Sequence, residues 1–270
     1  MTTSKKPYDF SGSPANHYDQ YMGPMYFEPY AIEVSKRVDA SPVQVALELA
    51  AGTGRVTRHL RSVLSPGAKL IASDINPDML AIAKEKLKGA NIDWQIIDAQ
   101  DLPFEADSID LAVCCFGLMF MPDKLKACSE VRRVLRAGGM FITTTWDKPE
   151  TIEVSYVYRT ITESYLPRPL PESYNLPTSM HDESVLRELL QEAGFSRVNV
   201  EKQKRDSQCQ SAKNAAEALV QAGAFSKEIM SLNPAQINEV KSLLAKELGK
   251  RYGDAPMIAP MSAVIGQAWK

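Results

Sequence analysis

Leu47-Glu48-Leu49-Ala50-Ala51-Gly52-Thr53-Gly54-Arg55 is an apolar run that breaks into a glycine-rich turn and then into charged sequence with helical spacing. A strand that ends this way lets Gly52 and Gly54 bring the backbone close to a ligand. The turn also presents N–H groups at a helix N-terminus. By itself such a turn is common to many nucleotide-binding folds, so its neighbours have to narrow the reading.

Outward from the turn, residues 43–146 alternate short apolar or β-branched runs with helical patterns. Strands are predicted at 43–50, 69–75, 92–98, 108–116 and 140–146, and helices at 55–64, 77–88 and 123–135. This rhythm marks βαβ units on a parallel sheet, an α/β fold of the Rossmann-like, doubly wound kind. Asn76 and Pro77 suit a helix start, and Gly138-Gly139 is read as the end of the third helix.

Three carboxylates sit in register with the glycines. Asp74 closes the second strand about 20 residues on, where it can take both hydroxyls of a ribose. Asp98-Ala99-Gln100 follows the third strand, placing an acid where an adenine amino group can donate to it. Glu48 suits a cationic amino-acid moiety better than a phosphate. The third small position of a dinucleotide fingerprint is Thr57 here, which disfavours a pyrophosphate. One acid for a cation, one for a ribose and one for an adenine fit S-adenosylmethionine (SAM).

The stretches LELAAGTG, SDINPDML, IIDAQDLPFEADSIDL, CCFGLMFMPD and RRVLRAGG occur in this order between Val45 and Trp146. This part of the chain resembles the class I SAM-dependent methyltransferases, in particular the ubiquinone/menaquinone-biosynthesis branch and its small-molecule relatives. The resemblance implies a seven-stranded mixed sheet of order 3-2-1-4-5-7-6, its last strand antiparallel, with helical lid segments. It implies that Gly52, Thr53 and Gly54 hold the methionine part, that Ala50 also lies against the cofactor, and that Asp74 holds the ribose. It further implies Ile75 and Met79 against the adenine, Asp98 and Ala99 at its edge with Gln100 also against the cofactor, and Cys115 with Phe116 under the sulfonium. The pair Tyr18-Asp19 resembles a segment that closes over the cofactor in this branch, which brings in Tyr18 and Tyr21. Beyond Trp146 the chain differs from the quinone enzymes, because helices are interposed before the final strand.

The 270 residues are read as one methyltransferase domain, with an N-terminal helical lid at 1–40 and a SAM-binding core at 43–146. Lid or insertion segments follow at 147–180 and 211–255. A proline-rich excursion covers 149–180; then come a helix at 182–193, a strand from Arg197, helices at 211–224 and 234–250, and a last strand at 261–269. None of the ten tyrosines falls in the βαβ core. Tyr8, Tyr18, Tyr21, Tyr26 and Tyr30 precede it; Tyr156, Tyr158, Tyr165 and Tyr174 lie in the excursion; Tyr252 lies beyond. A ring with a polar tip serves where an apolar surface meets water or ligand. The two clusters are expected either to pack peripheral segments onto the core or to form a shared aromatic lid.

A 44% hydrophobic, 24% charged composition supports a sizeable core, and a net charge of −2 with pI about 6.0 argues against a nucleic-acid partner. The longest apolar stretch, 111–121, is too short to span a bilayer, and the polar start does not resemble a secretory signal. A cytoplasmic monomer or homodimer acting on a small molecule is expected. No metal is expected: the fourth strand ends in Cys114-Cys115-Phe116-Gly117, which offers no carboxylate, and the four cysteines have no CxxC spacing. An Asn/Asp-Pro-Pro-Tyr stretch, as used for amino-methylation of DNA bases, is absent there too.

Methyl transfer rests on alignment and exclusion of water, with a base needed only when the acceptor loses a proton near the transition state. Candidates for such a role are His17, Tyr21, Tyr30 and His181. The acceptor is expected to be small and apolar or aromatic. Two other readings stand beside this one: a nicotinamide-dependent oxidoreductase, and a SAM-binding protein without turnover.

Overall fold

In the computed structural model, which describes residues 18–166, 169–170 and 172–270, seven strands form one sheet of order β3-β2-β1-β4-β5-β7-β6. The strands are β1 Val45–Leu49, β2 Lys69–Asp74, β3 Asp93–Ile96, β4 Ile109–Cys115, β5 Leu135–Trp146, β6 Arg197–Cys209 and β7 Met257–Trp269. Strands β1 to β5 pair in parallel, and β7 is antiparallel to both β5 and β6. This is the order and polarity that the resemblance implies. The reversal of strand order lies between β1 and β4, so the carboxyl ends of these two strands frame the crevice where such sheets bind ligands.

The helices are α1 Glu28–Lys36, α2 Arg55–Val63, α3 Pro77–Lys86, α4 Lys124–Val134, α5 Glu153–Thr162, α6 Glu183–Glu192, α7 Ala212–Ala222, α8 Ser226–Met230 and α9 Pro234–Tyr252. Asn76 caps α3 through Asp78 and Met79, and Asp182 caps α6 through Ser184, as their side chains and positions predict. Ahead of α1, residues Tyr18–Phe27 form a wide, π-type helix that contains Pro24. Among the described residues, no helix is long and apolar enough to cross a membrane.

Two boundaries differ by more than about two residues from those predicted. Helix α4 stops at Val134 and the chain turns straight into β5, so Gly138-Gly139 lies within the strand rather than ending the helix. The register with β4 jumps there from Ile109↔Leu135 to Leu111↔Met140, a bulge that the two glycines accommodate. Strand β7 starts at Met257, four residues earlier than expected. Its first residues pair with the end of β6, up to Cys209↔Met257, whereas its pairing with β5 stops at Trp146↔Ala263. The β6–β7 ladder therefore projects beyond β5 and carries α7, α8 and α9 at its end.

Candidate active site

The site grows from the carboxyl ends of β1 and β4, where two ordinary residues adopt left-handed backbone. Ala50 has φ +53° and Phe116 has φ +54°. Each such residue costs about 1–2 kcal/mol, and strain of this kind gathers at functional sites. The ends sit so close that a Cβ on Gly117 would lie 2.4 Å from Ala50 Cβ and 3.1 Å from Cys114 Sγ. Replacing Gly117 with alanine is therefore expected to cost about 1–3 kcal/mol through overpacking, seen as a melting temperature lowered by several degrees. A Gly117→Ala variant as stable as the parent would refute this apposition.

Gly52 (φ +56°) and Gly54 (φ +80°) shape the turn that follows β1. The Gly52 N–H donates to Asp74 Oδ2 at 2.8 Å, and the Asn76 N–H donates to Asp74 Oδ1 at 2.8 Å. Asp74 thus braces the glycine turn from the end of β2. Beside it Ile75 is half exposed, while Met79 is buried with its Cε 3.5 Å from where a Cβ on Gly52 would be. Beyond β3, Asp98 is exposed and accepts from the Gln100 backbone N–H at 2.9 Å. Gln100 Oε1 accepts from the Asp123 N–H at 2.9 Å, tying this loop to the cap of α4, and Ala99 is buried beneath it.

Glu48 lies under the turn and is 2% exposed. Its Oε2 has no hydrogen-bond partner within the chain. Burial pushes the carboxyl group up to about 8 against the hydrogen bonding of Thr57, and the charge of Asp74 adds to the shift. A buried acid with an unmet oxygen is costly unless something pairs with it. A cationic group held at this turn would meet that need, so the residues present fit the amino-acid end of SAM. Cys115 stands beside Glu48, and its thiol is raised well above the ordinary range by burial and by the charge of Glu48.

Next to this polar cradle is an aromatic wall. Phe116 and Trp146 stack with centroids 4.1 Å apart. Phe27 approaches the same two rings at 5.3 and 5.8 Å, and Tyr30 approaches them at 5.5 and 5.7 Å. Tyr26 meets Trp146 at 6.0 Å, and Tyr18 meets Phe27 at 5.2 Å. Tyr18, Tyr26 and Tyr30 thus gather around the ends of β4 and β5. The excursion contributes otherwise: Tyr158 and Tyr174 pack on Phe225, and Tyr156 is exposed. The two segments meet where Ser155 Oγ donates to the Tyr26 hydroxyl at 2.9 Å.

The three candidates for proton transfer among the described residues are scattered. Tyr30 is fully buried and its hydroxyl donates to the Gln203 carbonyl at 3.0 Å, which gives it a packing role. His181 Nδ1 lies 2.9 Å from the Thr178 carbonyl, just ahead of the cap of α6. Tyr21 sits on the wide helix, partly buried against the core. His17 lies outside the described residues, as does Tyr8. Tyr18 is close enough to Asp74 for that charge to add to burial in raising its phenol above the ordinary range.

Sequence reasoning missed Trp146 and Phe27, whose rings complete the wall, and Arg55 and Lys86, which grip the wide helix. Asp19 accepts from Thr53 Oγ1 at 2.6 Å, from Lys86 Nζ at 2.5 Å and from Arg55 Nη2 at 3.3 Å. Burial works against its charge, but these donors outweigh it and hold the carboxyl below its usual range. The Gly23-Pro24 break in an aromatic stretch, flanked by Asp19 and Glu28, was the available signal for the helix that they grip.

Comparison with known proteins bears on what this cradle holds. The ubiE/COQ5 methyltransferase family model matches residues 13–210. The ubiquinone/menaquinone biosynthesis C-methyltransferase UbiE of Proteus mirabilis is 31% identical over 204 residues, 69% of this chain and 81% of that protein. Its counterpart in Pectobacterium atrosepticum is 33% identical over 174 residues, 58% of this chain and 68% of that one. The phosphoethanolamine N-methyltransferase 2 of Haemonchus contortus, solved with phosphomonomethylethanolamine and S-adenosylhomocysteine, superposes with a TM-score of 0.58. It is 18% identical and covers 95% of this chain and 56% of that one, a likeness of fold. These findings disfavour the nicotinamide reading. Because the match runs through the whole of β6 and stops where the helices α7 to α9 begin, the chain belongs to the ubiE/COQ5 methyltransferase family over its catalytic core and is a SAM-dependent methyltransferase.

Proposed function

We propose that this methyltransferase transfers the methyl group to a small aromatic or otherwise apolar acceptor held against the wall that Phe27, Phe116 and Trp146 form over the buried Tyr26 and Tyr30. The observation that carries the reading is the stacked Phe116–Trp146 pair at the ends of β4 and β5, beside the glycine turn. When bound, SAM supplies a methyl carbon activated by a sulfonium. Gly52, Thr53, Gly54 and Glu48 are proposed to hold its amino-acid end, Asp74 its ribose, and Ile75, Met79, Asp98, Ala99 and Gln100 its adenine. Cys115 and Phe116 face the sulfonium side.

The chain's own contribution is positioning and exclusion of water, which an apolar wall provides. The relatives from Proteus and Pectobacterium are named C-methyltransferases, so we favour an electron-rich ring carbon as the nucleophile. Such a carbon sheds its proton after the new bond forms, and no strong base is required in the bond-forming step. That agrees with Tyr30 and His181 being engaged elsewhere, and it leaves Tyr21 and His17 as the candidates for accepting the proton.

The test is turnover of phenols, hydroquinones, thiols and amines with SAM, read as a product in which a methyl group has replaced one hydrogen. We expect hydroxylated aromatic rings to be methylated at carbon, and Trp146→Ala to lower kcat/KM about 10- to 100-fold. Turnover confined to charged, non-aromatic amines would overturn the acceptor reading. Cofactor binding with no turnover on any class would favour the non-catalytic alternative.

A further inference from the structure

One helix spans both halves of the proposed site. At its start Asp19 sits on the glycine turn and on Thr53, and at its end Tyr26 and Phe27 form part of the aromatic wall. The residue that holds this helix down is Arg55, the first residue of α2. Arg55 Nη2 donates to the Asp19 backbone carbonyl at 3.0 Å and to its carboxylate at 3.3 Å. Arg55 Nη1 donates to Glu28 Oε2 at 3.1 Å, just past the helix end. Between these two anchors the guanidinium lies flat on Gly23, where a Cβ would come within 2.4 Å of Nη2 and 2.8 Å of Nε. Arg55 Nε itself is buried without a partner.

Glu28 is a strong anchor. Although burial opposes its charge, hydrogen bonds from His59, Arg55 and Arg58 bring its carboxyl down to about 2. The planar, five-donor fork of arginine can bridge two acids at once, whereas lysine offers a single point charge. Pro24 contributes no N–H to the helix, so the segment has fewer internal bonds and depends more on outside grips.

We propose that Arg55 is a positioning residue that couples the cofactor turn to the acceptor wall. Clamping Asp19, Gly23 and Glu28 together, it makes order at the turn and order at Tyr26 and Phe27 one event. Filling the turn then builds the acceptor site, and by linkage an acceptor on the wall tightens the cofactor by the same factor. Arg55 does this without touching either ligand. The inference rests on the reading that the Gly52–Gly54 turn is where the cofactor binds.

The experiment compares the full chain with Arg55→Ala, Arg55→Lys, Gly23→Ala and Arg58→Ala. Two readouts are taken: the affinity for S-adenosylhomocysteine by calorimetry, and chymotryptic cleavage after Tyr21, Tyr26 and Phe27 with and without saturating S-adenosylhomocysteine. In the parent, the nucleoside should protect these bonds. In Arg55→Ala the affinity should fall about 5- to 10-fold, and protection should be lost even at saturation. Arg55→Lys should lie between.

Gly23→Ala should copy Arg55→Ala, because its methyl group displaces the guanidinium while leaving the arginine in place; it also carries the test if Arg55→Ala fails to fold. Arg58→Ala, which gives up one of the three partners of Glu28 and a contact with His59 at the exposed edge but leaves the Arg55 clamp intact, should behave like the parent. Protection retained in Arg55→Ala or Gly23→Ala, or lost equally in Arg58→Ala, overturns the coupling. Failure of the underlying reading looks different: the parent then either does not bind S-adenosylhomocysteine or binds it unaffected by loss of Asp74.

Discussion

Asp74→Ala is expected to weaken binding of SAM by about 30- to 150-fold, a loss of about 2–3 kcal/mol from charge-assisted hydrogen bonds to two hydroxyls. The geometry adds a second reason for a large effect. Asp74 Oδ2 is also the acceptor for the Gly52 N–H, so the same carboxylate shapes the turn that is proposed to hold the amino-acid end. The residue stands at the end of β2 and is only partly buried, so folding should survive. Asp74→Asn separates the two contributions, since the amide oxygen can still accept from Gly52 but carries no charge. Calorimetry on folded protein is the measurement. An affinity unchanged in Asp74→Ala would remove Asp74 from the cofactor site, and with it the register argument that links the glycines to the second strand.

The parts of the site that were legible in the sequence are those set by strand register. Gly52, Gly54, Asp74 and Asp98 lie within about fifty residues of one another, and each sits at the end of a strand whose length and polarity are written locally. In a parallel sheet those ends fall on one edge, so naming the strands places the residues. The aromatic wall was not legible. Phe27 and Phe116 are far apart in sequence and meet only because the N-terminal helix is carried across the sheet. Trp146 marked the end of a strand, and nothing in its surroundings announced the ring it would stack on. The wide helix Tyr18–Phe27 was hidden for a related reason: without a 3.6-residue apolar stripe or a cap, its shape depends on Arg55, Lys86 and Thr53, which belong to other elements. The tyrosine clusters show the limit of position as a guide. Both lie outside the βαβ segment in sequence, yet Tyr26 and Tyr30 join the wall while Tyr158 and Tyr174 go to Phe225.

Glu48 sets the strongest pH dependence expected of this protein. Its carboxyl group has its ordinary value of 4.5 in the unfolded chain and is raised to about 8 when folded. Between these values the folded state holds a proton that the unfolded state has released, so this group makes stability fall as pH rises from 4.5 to 8. The slope approaches about 1.4 kcal/mol per pH unit. Glu48→Gln removes the penalty and should be more stable than the parent at pH 7.5, yet it should bind S-adenosylhomocysteine more weakly. An ammonium group placed against Glu48 Oε2, the buried oxygen without a partner, favours the carboxylate and expels the proton. Binding near pH 6.5, where the nucleoside's own amino group stays charged, should therefore release about one proton. Affinity should rise up to about tenfold per unit as pH climbs toward 8. Calorimetry in buffers of different ionisation enthalpy reads the proton directly: the parent enthalpy should depend on the buffer, and that of Glu48→Gln should not. If the parent releases no proton, the ammonium lies elsewhere and Glu48 is a structural acid under the turn.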